Sequence, residues 1–170
     1  MYAPDAPFAR CDTGFPGSLP FDGLELARIA RTDACILFTG PADVRPLAVK
    51  IHSLSGWRWG PFLTVDCSRP DHVLEEQLFS VIESDGSVRD DLPRVRLLQA
   101  GTIFLHEVGK LSRAAQMRLH DVLGDTSDRG RPLSRRRLMA SSSETLLPRV
   151  ANGTFDDRLF YRLNVLHFVF

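Results

Sequence analysis

Ala34-Cys-Ile-Leu-Phe-Thr-Gly-Pro-Ala-Asp-Val-Arg-Pro-Leu47 is the stretch that decides the fold. Ala34 to Thr39 is a continuous apolar run of buried-strand type, Gly40-Pro-Ala-Asp43 is a loop, and Leu47, Ile51 and Leu54 then recur at helical spacing. Pro46 is tolerated in a first helical turn and Gly56 is a helix stop. The unit is strand, loop, helix. Moving toward the C-terminus the pattern repeats. Phe62 to Val65 is a second strand, Val73 to Ile82 a helix with Val73, Leu74, Leu78 and Ile82 on one face, and Gly101 to Leu105 a third strand. A polar segment from Glu83 to Pro93 separates the last two. Ser112 is placed to cap a helix whose Ala115, Leu119, Val122 and Leu123 form one buried stripe. Leu138 to Ala140 is a fourth strand, Leu159 to Leu163 lies on a helix, and Val165 to Phe170 is a fifth strand. Toward the N-terminus, Leu24, Leu26, Ala27, Ile29 and Ala30 predict a short helix. The prolines and glycines between Pro4 and Pro20 predict a flexible lead-in over residues 1–20 that sustains neither helix nor sheet. Strands alternating with helices predict an α/β fold, a five-stranded parallel sheet with helices on both faces.

The bulk properties fit one such domain. The chain has 170 residues and a mass of 19.0 kDa. Lys+Arg 21 against Asp+Glu 21 leaves no net charge, which excludes a histone-like or polybasic partner role. Hydrophobic content of 44% and charged content of 25% exclude disorder, collagen and coiled coil as the main state. Lysine occurs only at Lys50 and Lys110, a bias of composition rather than of function. Cys11, Cys35 and Cys67 are an odd number without C-x-x-C spacing, so a reducing compartment is expected. Met1 to Pro20 is no signal peptide and no run approaches a membrane span, so the expectation is a cytoplasmic protein without membrane contact.

The strand-to-helix loop is the place where nucleotide phosphates bind in such folds, because helix N-terminal amides there point at an anion. The pattern G-x-x-x-x-G-K-[ST] requires glycine and lysine where this chain has Arg45 and Pro46. Pro46 removes a backbone donor, Asp43 adds a negative charge, and Gly40 with Arg45 is what remains for weak nucleotide binding. The third strand ends in His106-Glu107, half of the carboxylate pair that would hold Mg2+. Glu107 remains available as a base, while His106 is a poor ligand for magnesium and reads as a hydrogen-bonded, half-buried side chain. His52, His72, His106, His120 and His167 show no metal spacing, so no metal site is expected. Arg129, Arg131, Arg135, Arg136 and Arg137 read as a solvated turn: no aromatics interleave and no helix carries the charges, so direct DNA binding is not expected. Trp57-Arg-Trp59 is either an exposed contact or, as loop aromatics more often are, folded back on the core.

Seven blocks are colinear with a known family. They are Ala34 to Gly40, Ile51-His-x-Leu-Ser55, Gly60-Pro-Phe-Leu-x-Val-Asp-Cys67, Leu74-Glu-Glu-Gln-Leu-Phe79, Gly101-Thr-Ile-Phe-Leu-His-Glu107, Gln116-x-x-Leu-x-x-Val-Leu123 and Phe155-Asp-Asp-Arg-Leu-Phe-Tyr-Arg-Leu-Asn-Val165. In order and spacing they resemble the AAA+ domain of sigma-54-dependent transcriptional activators, the bacterial enhancer-binding proteins, over Leu24 to Phe170. The resemblance implies a P-loop NTPase-like, three-layer sandwich over residues 21–170. The family hydrolyses ATP in a ring and remodels sigma-54 RNA polymerase through a G-A-F-T-G-A loop.

Position by position, the resemblance implies a degenerate member. Its phosphate-loop lysine stands here as Pro46 and its magnesium aspartate as His106, while its catalytic glutamate is kept as Glu107. The asparagine that restrains this glutamate is Asp66, whose charge would repel Glu107 if the two met. The first arginine finger is Asp156, the second is matched by Arg162, and the asparagine closing the fourth strand is Ser143. Ser84-Asp-Gly-Ser87 lies where the G-A-F-T-G-A loop belongs, which implies a lost sigma-54 contact. The chain ends before the family's helical lid and helix-turn-helix, so a truncated domain is expected. The expected function is transcription regulation by protein–protein association, with a second copy or an active AAA+ homologue, and without ATP hydrolysis or a cofactor. The alternative is a nucleotide-binding switch or residual ATPase using ATP and Mg2+ through Gly40, Glu107 and Arg162.

Overall fold

In the computed structural model, which describes residues 9–10, 22–79, 101–124 and 136–170, the elements follow one another as strand and helix. They are β1 (Ala9–Arg10), α1 (Gly23–Arg31), β2 (Ile36–Thr39), α2 (Arg45–Leu54), β3 (Phe62–Asp66), α3 (Asp71–Leu74), β4 (Gly101–His106), α4 (Arg113–Gly124), β5 (Arg136–Ser142), α5 (Leu147–Ala151), α6 (Asp157–Leu163) and β6 (Leu166–Val169). All strand pairs are parallel and the order across the sheet is β1-β6-β2-β5-β4-β3. The five expected strands are present. The sixth is a difference: Ala9 and Arg10, inside the proline-rich lead-in, align with Phe168 and Val169 of β6. Two residues suffice because β6 is otherwise an edge whose outer backbone groups are open to pairing.

Local chemistry explains the element starts. Asp22 caps α1, its Oδ1 accepting from the amides of Leu24 (2.8 Å) and Glu25 (2.7 Å) while Glu25 returns a bond to the Asp22 amide. Ser112 caps α4 by accepting from the Ala115 amide at 3.1 Å. Pro46 sits in the first turn of α2. The helix predicted over Val73 to Ile82 differs: it starts at Asp71, becomes a π-helical turn over Glu75–Phe79, and its last residues lie outside the described ones. The short helix α5 and the 3-10 turn Val108–Lys110 carry no apolar periodicity long enough to predict them.

Helices cover both faces of the sheet. Phe38, Phe104, Met139 and Phe168 pack against Leu26, Ala30, Leu47, Ala48 and Ile51 of α1 and α2. Leu37, Val65, Ile103, Leu105 and Ala140 pack on the opposite side against residues of α3, α4 and α6, among them Leu74, Leu119 and Leu159. The sandwich therefore has three layers, as expected.

Two aromatic and basic positions are corrected. Arg137 is no part of a solvated turn: it is fully buried in β5, donating from Nη1 to the Ala30 carbonyl (2.9 Å) and from Nη2 to the Ile29 carbonyl (2.7 Å). Its neighbours in the cluster, Arg129, Arg131 and Arg135, lie outside the described residues. Trp59 does not fold back on the core, being 85% exposed with the Arg58 guanidinium 5.1 Å above its ring, whereas Trp57 is half-buried.

Candidate functional site

Parallel pairing brings the carboxyl ends of β2, β3, β4 and β5 to one edge, the usual place for a ligand in an open α/β sheet. The register aligns Thr39 with Ser142, Leu105 with Ala140, and Asp66 with His106. Gly40, Asp66, His106, Glu107 and Ser141 to Ser143 thus share this edge, and α2 rises from it at Arg45.

The loop before α2 is held by its own bonds. The Gly40 amide donates to the Ser142 carbonyl at 3.0 Å, and the Arg45 amide donates to Asp43 Oδ1 at 3.1 Å. Pro41 and Pro46 have no amide hydrogen. Four of the backbone positions between 40 and 46 therefore have no donor to offer an anion. Gly40 adopts φ +135, and a Cβ there would stand 2.3 Å from the Phe170 carbonyl oxygen, so only glycine fits between β2 and the end of β6.

Glu107 has φ 57 and ψ 48, a left-handed conformation that costs a non-glycine residue about 1 kcal/mol or more. Its carboxylate accepts from the Ser143 amide at 3.1 and 3.3 Å and from Ser143 Oγ at 2.9 Å. His106 Nδ1 is 3.1 Å from Ser141 Oγ, the half-buried, hydrogen-bonded state expected of it. Asp66 does not meet Glu107. Its Oδ1 accepts from the Ser68 hydroxyl (2.6 Å) and amide (3.0 Å), and Arg69 stands 3.6 Å from Oδ2. The Ser68 hydroxyl bond foremost, with the Ser68 amide, His106 and Arg69 assisting, holds the Asp66 carboxyl below the usual range against the opposing effect of burial.

The remaining positions lie elsewhere. Asp156 is the N-cap of α6, accepting from the Leu159 amide at 2.9 Å and pairing with Arg113 at 3.4 Å. Arg162 stands near Cys35, at the amino end of β2, so within one chain it and Glu107 occupy opposite ends of the sheet. Burial pushes the Cys35 thiol up to about 12, with Arg162 and Arg137 opposing. Burial, reinforced by the charges of Asp66 and Glu107, does the same for Cys67, so both thiols stay protonated. Among the described residues no three His, Cys, Asp or Glu side chains gather as metal ligands do. Ser141 and Ser142, with the Asp43 bond to the Arg45 amide, are site features that the sequence alone does not single out. Asp43 two residues before an amide at a helix start is the signal that was there to find.

Comparison with known proteins bears on the same residues. Residues 24–169 match the Sigma-54 interaction domain. The chain is 35% identical over 150 residues to the nitrogen fixation protein VnfA of Azotobacter vinelandii, covering 82% of this chain and 29% of the relative. It is 30% identical over 155 residues to the putative uric acid sigma-54-dependent transcriptional regulator UacR of Escherichia coli, covering 83% of this chain and 26% of the relative. The chain thus spans between a quarter and a third of the length of these relatives. Among solved structures, NtrX from Brucella abortus in complex with ATP superposes with a TM-score of 0.66 at 27% identity, covering 85% of this chain and 34% of NtrX. The P-loop NTPase domain of a sigma-54 activator from E. coli gives a TM-score of 0.57 at 22% identity over 85% of this chain and 96% of that one, a likeness of fold. Sequence blocks, sheet order and these matches agree: the chain belongs to the Sigma-54 interaction domain family, the AAA+ P-loop NTPase domain of sigma-54-dependent transcriptional activators.

Proposed function

We propose that this domain regulates transcription in the bacterial cytoplasm by associating with other subunits, a second copy or a catalytically intact activator, and that it does not hydrolyse ATP. One observation carries the proposal. The loop that would cradle a triphosphate has two prolines, and its Gly40 and Arg45 amides are spent on Ser142 and Asp43. Phosphate cradles work by aiming free amides and an ammonium at the anion, and this loop supplies no lysine and has lost four of its seven backbone donors. The residues present do not fit ATP with Mg2+, and His106 adds a neutral or cationic ring where a carboxylate would hold the metal. Loss of several preorganised electrostatic groups together costs many orders of magnitude in rate. Ser84 to Ser87, in place of the sigma-54-contacting loop, lies outside the described residues and supports the same proposal from sequence alone.

The second proposal, a nucleotide switch using Gly40, Arg45, Glu107 and Arg162, is favoured by Glu107 at the strand end and by an Arg162 that makes no ion pair among the described residues. Titration of the chain with a fluorescent ATP analogue, with and without Mg2+, separates the two. No saturation at millimolar nucleotide is expected; saturable, Mg2+-dependent binding overturns the first proposal and supports the second. Size-exclusion of the chain mixed with an intact activator of the same genome is expected to show co-elution.

A further inference from the structure

We propose that the outer face of α2 and the turn after it form a docking surface for an acidic, leucine-rich amphipathic helix of a partner protein. α2 buries Leu47, Ala48, Ile51 and His52, so Arg45, Pro46, Val49, Lys50, Ser53 and Leu54 face outward along about 15 Å of helix. Val49 is 44% and Leu54 40% exposed, and Trp59 stands beyond them at 85%. The turn is built, with Ser55 Oγ accepting from the Trp57 amide (3.1 Å) and the Gly60 amide donating to the Trp57 carbonyl (2.8 Å).

The charge is one-sided. From Val44 to Val65 the chain has no Asp or Glu, although acidic and basic residues balance over the whole protein. Elsewhere cations find carboxylates: Arg69 with Asp66, Arg113 with Asp156, Lys110 with Glu144 and Arg118 with Glu75. Arg45, Lys50 and Arg58 pair with no carboxylate among the described residues. Three cations without a carboxylate partner among the described residues, Arg58 lying over the Trp59 ring, alternate along the sequence with three exposed apolar side chains and are complementary to a helix that carries acidic and leucine residues on one face. A single-stranded nucleic acid is the poorer match, because two of the three apolar side chains are aliphatic and offer bases no ring to stack on. Of this surface only Arg45 lies at the carboxyl edge of the sheet; Lys50, Leu54 and the turn follow toward the other end of α2, so a peptide held by them does not depend on whether a nucleotide binds at that edge.

The test uses the full chain and a labelled synthetic amphipathic peptide of Glu and Leu, read by anisotropy and by tryptophan emission. Saturable binding with a blue shift, weakened at raised salt, is expected. The double variant K50E/R58E and the single variant W59A, each with an unchanged far-UV circular dichroism spectrum, are each expected to weaken binding about tenfold or more. No saturable binding overturns the proposal. So does equal binding of an all-Glu peptide, equal affinity of the two variants and the parent, or tighter binding of a single-stranded oligonucleotide than of the peptide.

Discussion

The two faces of the sheet are built from different chemistry. Toward α3, α4 and α6 the strands present Leu37, Val65, Ile103, Leu105 and Ala140, an aliphatic surface whose stability is a matter of volume and contact. Toward α1 and α2 they present Phe38, Phe104, Met139 and Phe168, with Phe62 and Phe104 stacked at 6.1 Å and Phe38 and Phe168 at 6.0 Å. Set among these rings are two buried ionisable groups. His52 Nδ1 lies 2.8 Å from Thr102 Oγ1, and Arg137 caps the carboxyl end of α1. Between strands and helices one face is held mainly by packing, with the buried Gln116 amide tying α4 to the Leu111 and Thr154 carbonyls at its rim, while the other sets a histidine and an arginine among its rings.

The comparison can be broken at several strengths. Phe104→Ala, which empties the aromatic face, is expected to cost about 4 kcal/mol, and Leu105→Ala on the other face about 3 kcal/mol, both read by urea unfolding. Arg137→Met fits the volume but strands the Ala30 carbonyl, while Ile29 keeps its bonds from Thr32, and is expected to cost about 2 kcal/mol, whereas Leu105→Met costs less than about 1.5 kcal/mol. Equal tolerance of methionine at the two positions would erase the distinction.

A smaller effect follows from the histidines. Burial holds His52 and His167 below the ordinary value of 6.5, against a bond to the Gly60 backbone at His52. The unfolded chain then takes up protons first as the solution is acidified. The histidines' contribution to stability is full above pH 6.5 and declines as pH falls through 6.5 toward the folded-state values, and urea midpoints measured across that window should move down with pH. His52→Phe should flatten part of that slope, and a slope unaltered by this change would place the pH sensitivity elsewhere. Smallest of all, Ser143→Ala removes one hydroxyl bond to Glu107 at an exposed position and should cost about 1 kcal/mol.

Much of the fold was legible because both faces of the sheet are covered. Ala34 to Thr39 and Gly101 to Leu105 are unbroken apolar runs, and runs of that kind between helical periods have few other homes. Arg137 was not legible, since three consecutive arginines resemble a solvated turn until register places Arg137 on the same side of β5 as Met139. At the carboxyl edge, the changed residue types at 46, 106 and 156 could be read directly. The left-handed backbone of Glu107 and the serine bonds that hold it depend on the meeting of β4 with β5, a contact between segments 34 to 36 residues apart that periodicity does not encode.

The Arg137 cap joins a local element to the centre of the sheet. A short first helix would ordinarily fray on its own and exchange its amides with solvent at low cost in free energy. Here the last carbonyls of α1 are held by a side chain that cannot leave without disturbing β5, whose neighbours are β2 and β4. The amides of α1 should therefore exchange in the same cooperative unit as the middle strands, and this short helix should be among the last elements to open.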